Sequence, residues 1–319
     1  MNSSNNNNKN VCIKKSVDKF ENLKANFFLQ KTFDLLEMNK YLKIIKYNKK
    51  IQERLNLSIK NYKDYGQIKI EIIPVKNAIG EFIHIVLDSD KKYFHIYFND
   101  NYKKEIKRYS LKKNDKVNKI TVIIDAQITT FYKLFEKCKC IKSISFKQFY
   151  RKNIRNMESL FYECTSLKEI DFSNFHTNNV ISMRSMFYKC PLEKIDLSNF
   201  KTDNVMNMCL MFCECKSLKK LDLSNFNTNK VETMKFMFSD LKMIKELDIS
   251  NFDTSNLENV SFMFCDCTSL KKIIFNNNFN INNYIANNTF RGCSTELQNK
   301  VKEQFKNINQ NAFYSPNYL

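Results

Sequence analysis

Glycine is nearly missing from this chain: three residues in 319, at Gly66, Gly80 and Gly292. A loop that cradles phosphate needs several glycines at close spacing, so templates of that kind are excluded. Histidine is equally scarce, and His84, His95 and His176 show neither metal-ligand nor triad spacing. The first two sit in alternating, strand-like runs and the third at a variable repeat position, so all three read as structural or surface residues. Catalysis is not expected, and no catalytic residue, metal ligand or cofactor is assigned. No stretch approaches the ~18 consecutive apolar residues that a membrane helix requires, so no membrane span is expected. The opening "MNSSNNNNKN" lacks the apolar run of a secretory signal. A soluble cytoplasmic protein is the expectation, with its eleven cysteines kept as reduced thiols.

What the chain does have is positive charge: 52 Lys and Arg against 33 Asp and Glu, a net +19. The excess leans toward residues 1–130, which hold 26 basic against 14 acidic side chains. Lys103, Lys104, Lys107, Arg108, Lys112, Lys113, Lys116 and Lys119 lie around Tyr102 and Tyr109, a mixture that a nucleic-acid groove would use for phosphates and bases. It equally suits an exposed hairpin and its loop. In a chain crowded with Asn, Lys and Ile, a solvated surface is the preferred reading, and nucleic acid is not the expected partner. At 43% hydrophobic and 27% charged, the composition is that of a globular chain long enough for two domains.

The second half repeats itself. Phe135, Phe161, Phe187, Phe212, Phe238, Phe264 and Phe290 follow one another at steps of 26, with a single step of 25. Such a period marks stacked units, each walling in its neighbour's apolar face. Leu218, Leu221, Leu223 and Phe226 in one unit include a pair two apart, as in a strand. Val231, Met234, Met237 and Phe238 have the spacing of a helical face. Each unit therefore predicts a short strand, a turn and a short helix. Thr177, Thr202, Thr228 and Thr254 are expected to cap those helices. Asn174, Asn199, Asn225 and Asn251 are expected to bond backbone groups where the chain turns. A cysteine column at Cys138, Cys164, Cys190, Cys215, Cys267 and Cys293 lacks metal spacing and has Leu241 in its remaining place, so it reads as core packing.

Strand alternation puts Asp171, Asp196, Asp222 and Asp248, with Ser173, Ser198, Ser224 and Ser250, on the face opposite the core. Glu169, Lys194, Lys220 and Glu246 share that face. These twelve residues form a polar, partly acidic strip, the candidate surface for a protein partner.

The phrase "MF-x-x-C-x-SL-K-x-L-D-L-S-N-F-x-T-x-x-V-x-x-M", at residues 211–234 and nearly so at 160–183 and 263–270, resembles the BspA-type leucine-rich repeat. The resemblance covers about residues 128–294. It implies a leucine-rich solenoid, commonly a protein-binding or surface-adhesion module in bacteria and parasitic protists, with no catalytic residues. Ahead of it, "LLEMNKYLKIIKYNKKIQERLNL" is loosely similar to the helices of F-box adaptors, which hold a ubiquitin-ligase core while repeats hold the substrate; a plain packing helix is the simpler reading. The runs "QIKIEIIP", "FIHIVL", "YFHIYF" and "KITVIID" predict strands, the last serving as the cap of the repeats.

The expected chain is α+β: a leucine-rich-repeat solenoid of strand-turn-short-helix, 26-residue units, preceded by a small helical plus β domain. Its divisions are a disordered Asn-rich tail (1–20), an N-terminal α+β domain (21–125), the repeats (126–294) and a capping helix and tail (295–319). The expected function is a non-enzymatic, monomeric protein-interaction scaffold that binds a protein partner through the exposed strand face. A surface adhesin exported by another route, an F-box-like adaptor and a nucleic-acid-binding protein are the alternatives.

Overall fold

The computed structural model describes residues 48–55, 66–279 and 281–314. The chain divides into two compact units, Met1–Gln67 and Ile68–Leu319. In the first, helix α1 spans Lys49–Arg54, and the Asn48 side chain caps it by accepting from the Ile51 N–H at 2.9 Å. The expected tail at 1–20 and most of the expected helices at 21–60, including the greater part of the F-box-like stretch, lie outside the described residues.

The second unit opens with a five-stranded sheet. Its strands are β1 (Ile68–Pro74), β3 (Phe94–Phe98), β5 (Ile120–Ile124), β6 (Ile141–Gln148) and β7 (Glu169–Asp171), in the order β3-β5-β1-β6-β7. All neighbours are antiparallel except β6 and β7. Alternation decides the register: Ile70 lies opposite Val122 on one side and Phe146 on the other, and all three are buried. Two-residue strands β2 (Gly80–Glu81) and β4 (Ser110–Leu111) pair separately. "FIHIVL" forms no strand. Phe82 donates to the Tyr109 carbonyl and His84 to that of Leu134, two different segments, so no ladder develops. Nor does "KITVIID" cap the repeats: β5 is held between β3 and β1, and β1 lies beside β6. The sheet thus crosses residue 125, and the division between compact units falls at Gln67/Ile68.

From residue 130 onward the units lie in register. Parallel bridges join Thr130, Asn156, Ser182, Asn207, Thr233, Asn259 and Ile285 in succession. The repeat phenylalanines form one column of near-parallel rings from Phe135 to Phe290, with centroids 5.5–6.1 Å apart and planes within 14°. All are buried, within the offset-stacking range of aromatic pairs.

The expected leucine-rich-repeat solenoid of strand-turn-helix units is corrected. No α-helix lies between Ile68 and Cys293 among the described residues. An α-helix would send each N–H to the carbonyl four residues back; here Phe131, Lys133, Phe135 and Lys137 donate instead to Asn156, Glu158, Leu160 and Tyr162 of the next unit, at 2.7–3.0 Å. Two residues in every unit are left-handed, as at Lys133 and Lys137 (φ 59° and 57°) or Ser159 and Glu163 (φ 56° and 53°), which no continuous helix admits. In the last unit this role falls to Gly292 (φ 69°), where a Cβ would lie 2.0 Å from Asp266 Oδ1. The strand side is equally broken. After β7 no strand forms at 195–198 or 221–224, and pairing resumes only between parallel β8 (Glu246–Ile249) and β9 (Lys272–Phe275). The result is a mixed α/β arrangement, rich in strand, with three small sheets among the described residues.

With no helix to cap, the threonines bond across units. Thr177 Oγ1 donates to the Lys201 carbonyl at 2.8 Å and accepts from its N–H at 2.7 Å, and Thr202 treats Asn227 likewise. The asparagines do bond backbone, that of the preceding unit: Asn225 donates to the carbonyls of Leu197, Ser198 and Phe200. Helix α2 (Thr295–Gln304) closes the unit, capped by Ser294 and burying Leu297 and Val301.

Candidate binding site on the strand face

The twelve residues singled out from the sequence all lie on the outer surface. Asp171 is half-buried and the other eleven are exposed. Each aspartate closes a small turn by accepting from the backbone N–H two residues on: Asp171 from Ser173 (3.0 Å), Asp196 from Ser198 (3.0 Å), Asp222 from Ser224 (2.9 Å) and Asp248 from Ser250 (2.9 Å). Those N–H bonds hold Asp196 and Asp222 below the usual carboxylate range; at Asp248 the Ser250 hydroxyl comes first and the N–H second. Asp171 falls furthest, to about 2, because the Ser173 N–H is joined by the Ser173 and Ser145 hydroxyls and by Lys147. The Asp-x-Ser spacing therefore has a structural cause as well as a surface position.

Six of the twelve converge. Lys220, Asp222, Ser224, Glu246, Asp248 and Ser250 line an open groove of about 770 Å³ where the irregular stretch 221–224 meets β8. Glu169, Asp171, Ser173, Lys194, Asp196 and Ser198 lie outside it. Leu221, Met243 and Ile274 give the groove an apolar lining. Lys272 holds Glu246 at 2.6 Å, and Lys219, also on the lining, holds Glu193 at 2.5 Å.

The apolar lining was missed although the sequence carried a sign of it. Ser166, Ser217 and Ser269 share one repeat position, which Met243 occupies in the fourth copy. Ile274 pairs with Asp248 and stands where the aspartate column would continue. Both departures point into the same groove. Leu221, read as a core residue, is only half-buried, as is Ile170 at the same repeat position in β7.

Other candidate side chains have partners within the fold. Cys164, Cys190, Cys215, Cys267 and Cys293 donate their thiols to the Phe carbonyls of the preceding units at 2.9–3.0 Å, and burial pushes all five thiols up. His95 lies between Glu105 (3.0 Å) and Asp125 (3.3 Å), but through different ring nitrogens, so the three cannot face one ion. No cluster able to hold a metal exists among the described residues. In the basic cluster, Arg108 is bidentate to Asp115 at 2.6 Å, Lys107 pairs with Glu105 and Lys119 with Asp100. No helix of the described residues is long and apolar enough to cross a membrane.

A family model described as "Mycoplasma protein of unknown function, DUF285" matches residues 106–194, 129–220 and 188–304. These matches span more than half of the chain, which belongs to that family, and their threefold recurrence reflects the repeats. They correct the resemblance to the BspA-type leucine-rich repeat, since neither a leucine-rich-repeat nor an F-box family model matches. No curated protein and no solved structure matches the chain.

Proposed function

We propose that this family member is a non-enzymatic protein-interaction module that takes up a protein partner in the groove between residues 219–224 and 243–250. The observation that carries the reading is the groove itself: an apolar lining of Leu221, Met243 and Ile274 among charged side chains, open to solvent over about 770 Å³. Apolar contact supplies most of the gain on association, and flanking charges select the partner. Cross-unit bonds beside the groove, such as Asn251 to the carbonyls of Leu223 and Ser224, hold the backbone before contact, which lowers the ordering cost of binding. Ten buried free thiols among the described residues suit a reducing compartment, which supports an intracellular setting.

The test is site-specific photo-crosslinking in cells, with the reactive side chain at Met243 and, as control, at Met206, an exposed methionine outside the groove. Protein adducts should form at 243 and not at 206, and Leu221→Asp should reduce them by about tenfold, the effect of losing about 1.4 kcal/mol of binding. Equal yields at the two positions would remove the groove from consideration.

A further inference from the structure

The threonine column does not end as it begins. Thr177 and Thr202 each bond both backbone groups of a residue in the next unit, and Thr228 donates to the Asp253 carbonyl at 2.8 Å. Thr254 is buried, yet its hydroxyl has no hydrogen-bond partner among the described residues. Spacing accounts for the difference. Phe175, Phe200, Phe226 and Phe252 recur at steps of 25 or 26, whereas Phe279 follows after 27, behind the run Asn276, Asn277 and Asn278. Where that extra residue enters, a cleft of about 480 Å³ lies between residues 251–257 and the side chains of Asn276, Asn278, Asn283 and Tyr284, and Thr254 lines it.

Apart from Leu257 and Tyr284, each described residue on the lining is Asn, Asp, Ser or Thr. Two of the asparagines are spent on backbone: Asn251 on the carbonyls of Leu223, Ser224 and Phe226, Asn276 on the Ser250 carbonyl and the Asn278 N–H. One oxygen of Asp253 accepts from the Ser255 N–H at 2.9 Å and from its hydroxyl at 2.6 Å, and the other oxygen is left over. The carboxamides of Asn278 and Asn283 and the Tyr284 hydroxyl have no hydrogen-bond partner among the described residues. The Tyr284 ring is half-buried and rests against Phe279, with centroids 5.5 Å apart.

These groups select by chemistry. With Asp253 on the lining and no Lys or Arg beside it, an anion is repelled. A hard cation takes six to eight oxygens with several carboxylates among them, and a single carboxylate among neutral groups falls short. Carboxamides and hydroxyls both donate and accept, so they match a ligand that does both at close spacing. Adjacent hydroxyls on a sugar ring do so, and the amphipathic ring of a tyrosine suits the C–H face of the same sugar. We propose that this cleft binds a neutral carbohydrate, with Asp253, Thr254, Asn278 and Asn283 bonding its hydroxyls and Tyr284 against its ring. The volume lies within the ~300–1,000 Å³ of small-molecule sites. The cleft meets the groove at Asn251, yet sugar binding does not require a protein in the groove.

The experiment presents the full chain to an array of neutral glycans built from glucose, galactose, mannose and N-acetylglucosamine, then titrates any retained glycan by calorimetry. At least one should be retained. Asn278→Ala should weaken it about tenfold, as should Asp253→Asn, which keeps an acceptor for the Ser255 N–H. Leu221→Asp, in the groove and outside the cleft, should leave it unchanged. The Asn278 side chain makes no bond within the described fold, so its variant decides the matter even if Asp253→Asn disturbs the turn. Calcium chloride titrated without sugar should give no binding heat. No retained glycan, a retained glycan indifferent to Asn278→Ala, equal weakening by Leu221→Asp, or calcium bound alone and lost with Asp253→Asn would each overturn the proposal. Crosslinking at Met243 is a separate readout, so the groove stands or falls independently of the sugar.

Discussion

At the scale of the residue, side chains that look like candidates for chemistry are occupied in closing the backbone. Cys215 spends its S–H on the Phe187 carbonyl, and burial disfavours its thiolate. Thr177 satisfies both groups of Lys201. Asp171 accepts from the Ser173 N–H and the Ser145 hydroxyl, and its pKa falls to about 2. A carboxylate held below its unfolded value contributes stability that is present above about 3.8 and is lost as pH falls toward about 2. With its side chain 44% exposed, solvent screening limits the contribution to about 1 kcal/mol. Asp171→Asn is thus expected to lower stability at neutral pH by up to that amount and to match the wild type near pH 2. Denaturant melts across that window check this, and a difference independent of pH would contradict it.

At the scale of the element, the 3.6-residue spacing is satisfied by something other than a helix. Successive turns place an apolar residue inward about every third position, as at Val231, Met234 and Met237, while alternate N–H groups, those of Met234, Phe236, Phe238 and Asp240, cross to the next unit. The two geometries respond oppositely to glycine. Lys137 is exposed and left-handed, with φ 57°. In a helix, Lys137→Gly would cost about 0.5–1 kcal/mol; here it relieves a side chain in the left-handed region and should stabilise by about 0.5–1 kcal/mol, after the greater freedom of glycine in the unfolded chain is set against the relief. A thermal melt that moves downward would favour the helix.

At the scale of the whole molecule, the period is the unit of construction. Removing residues 222–247 deletes 26 positions and joins Leu221 to Asp248, which restores the Leu-Asp-Ile-Ser phrase and keeps the Phe column in phase. That deletion should fold and melt in one transition, at a lower temperature. Removing 13 residues sets the rings out of phase and should abolish the transition. Circular dichroism during heating distinguishes the outcomes, and equal behaviour of the two deletions would argue against the stack.

The sequence by itself determined which residues go inside and at what interval. Phe135 to Phe290 recur at one phase, and an apolar ring must be buried wherever its unit lies, so the column was legible from spacing alone. The outward face of the Asp, Ser and Lys positions followed from the same alternation. The tertiary structure decided how the backbone joins those positions. The i, i+3, i+6 spacing fits a helix and a run of turns equally, and the left-handed positions, filled by Lys, Ser, Leu, Phe, Glu, Asp and Asn, carry a glycine only in the last unit, at Gly292, to mark them. Whether an N–H bonds within its own unit or to the next depends on a neighbour 25 or 26 residues away. The groove is likewise a matter of neighbours: strand pairing is absent at 221–224 and resumes at β8, and only once the units lie side by side do Leu221, Met243 and Ile274 come to line one groove.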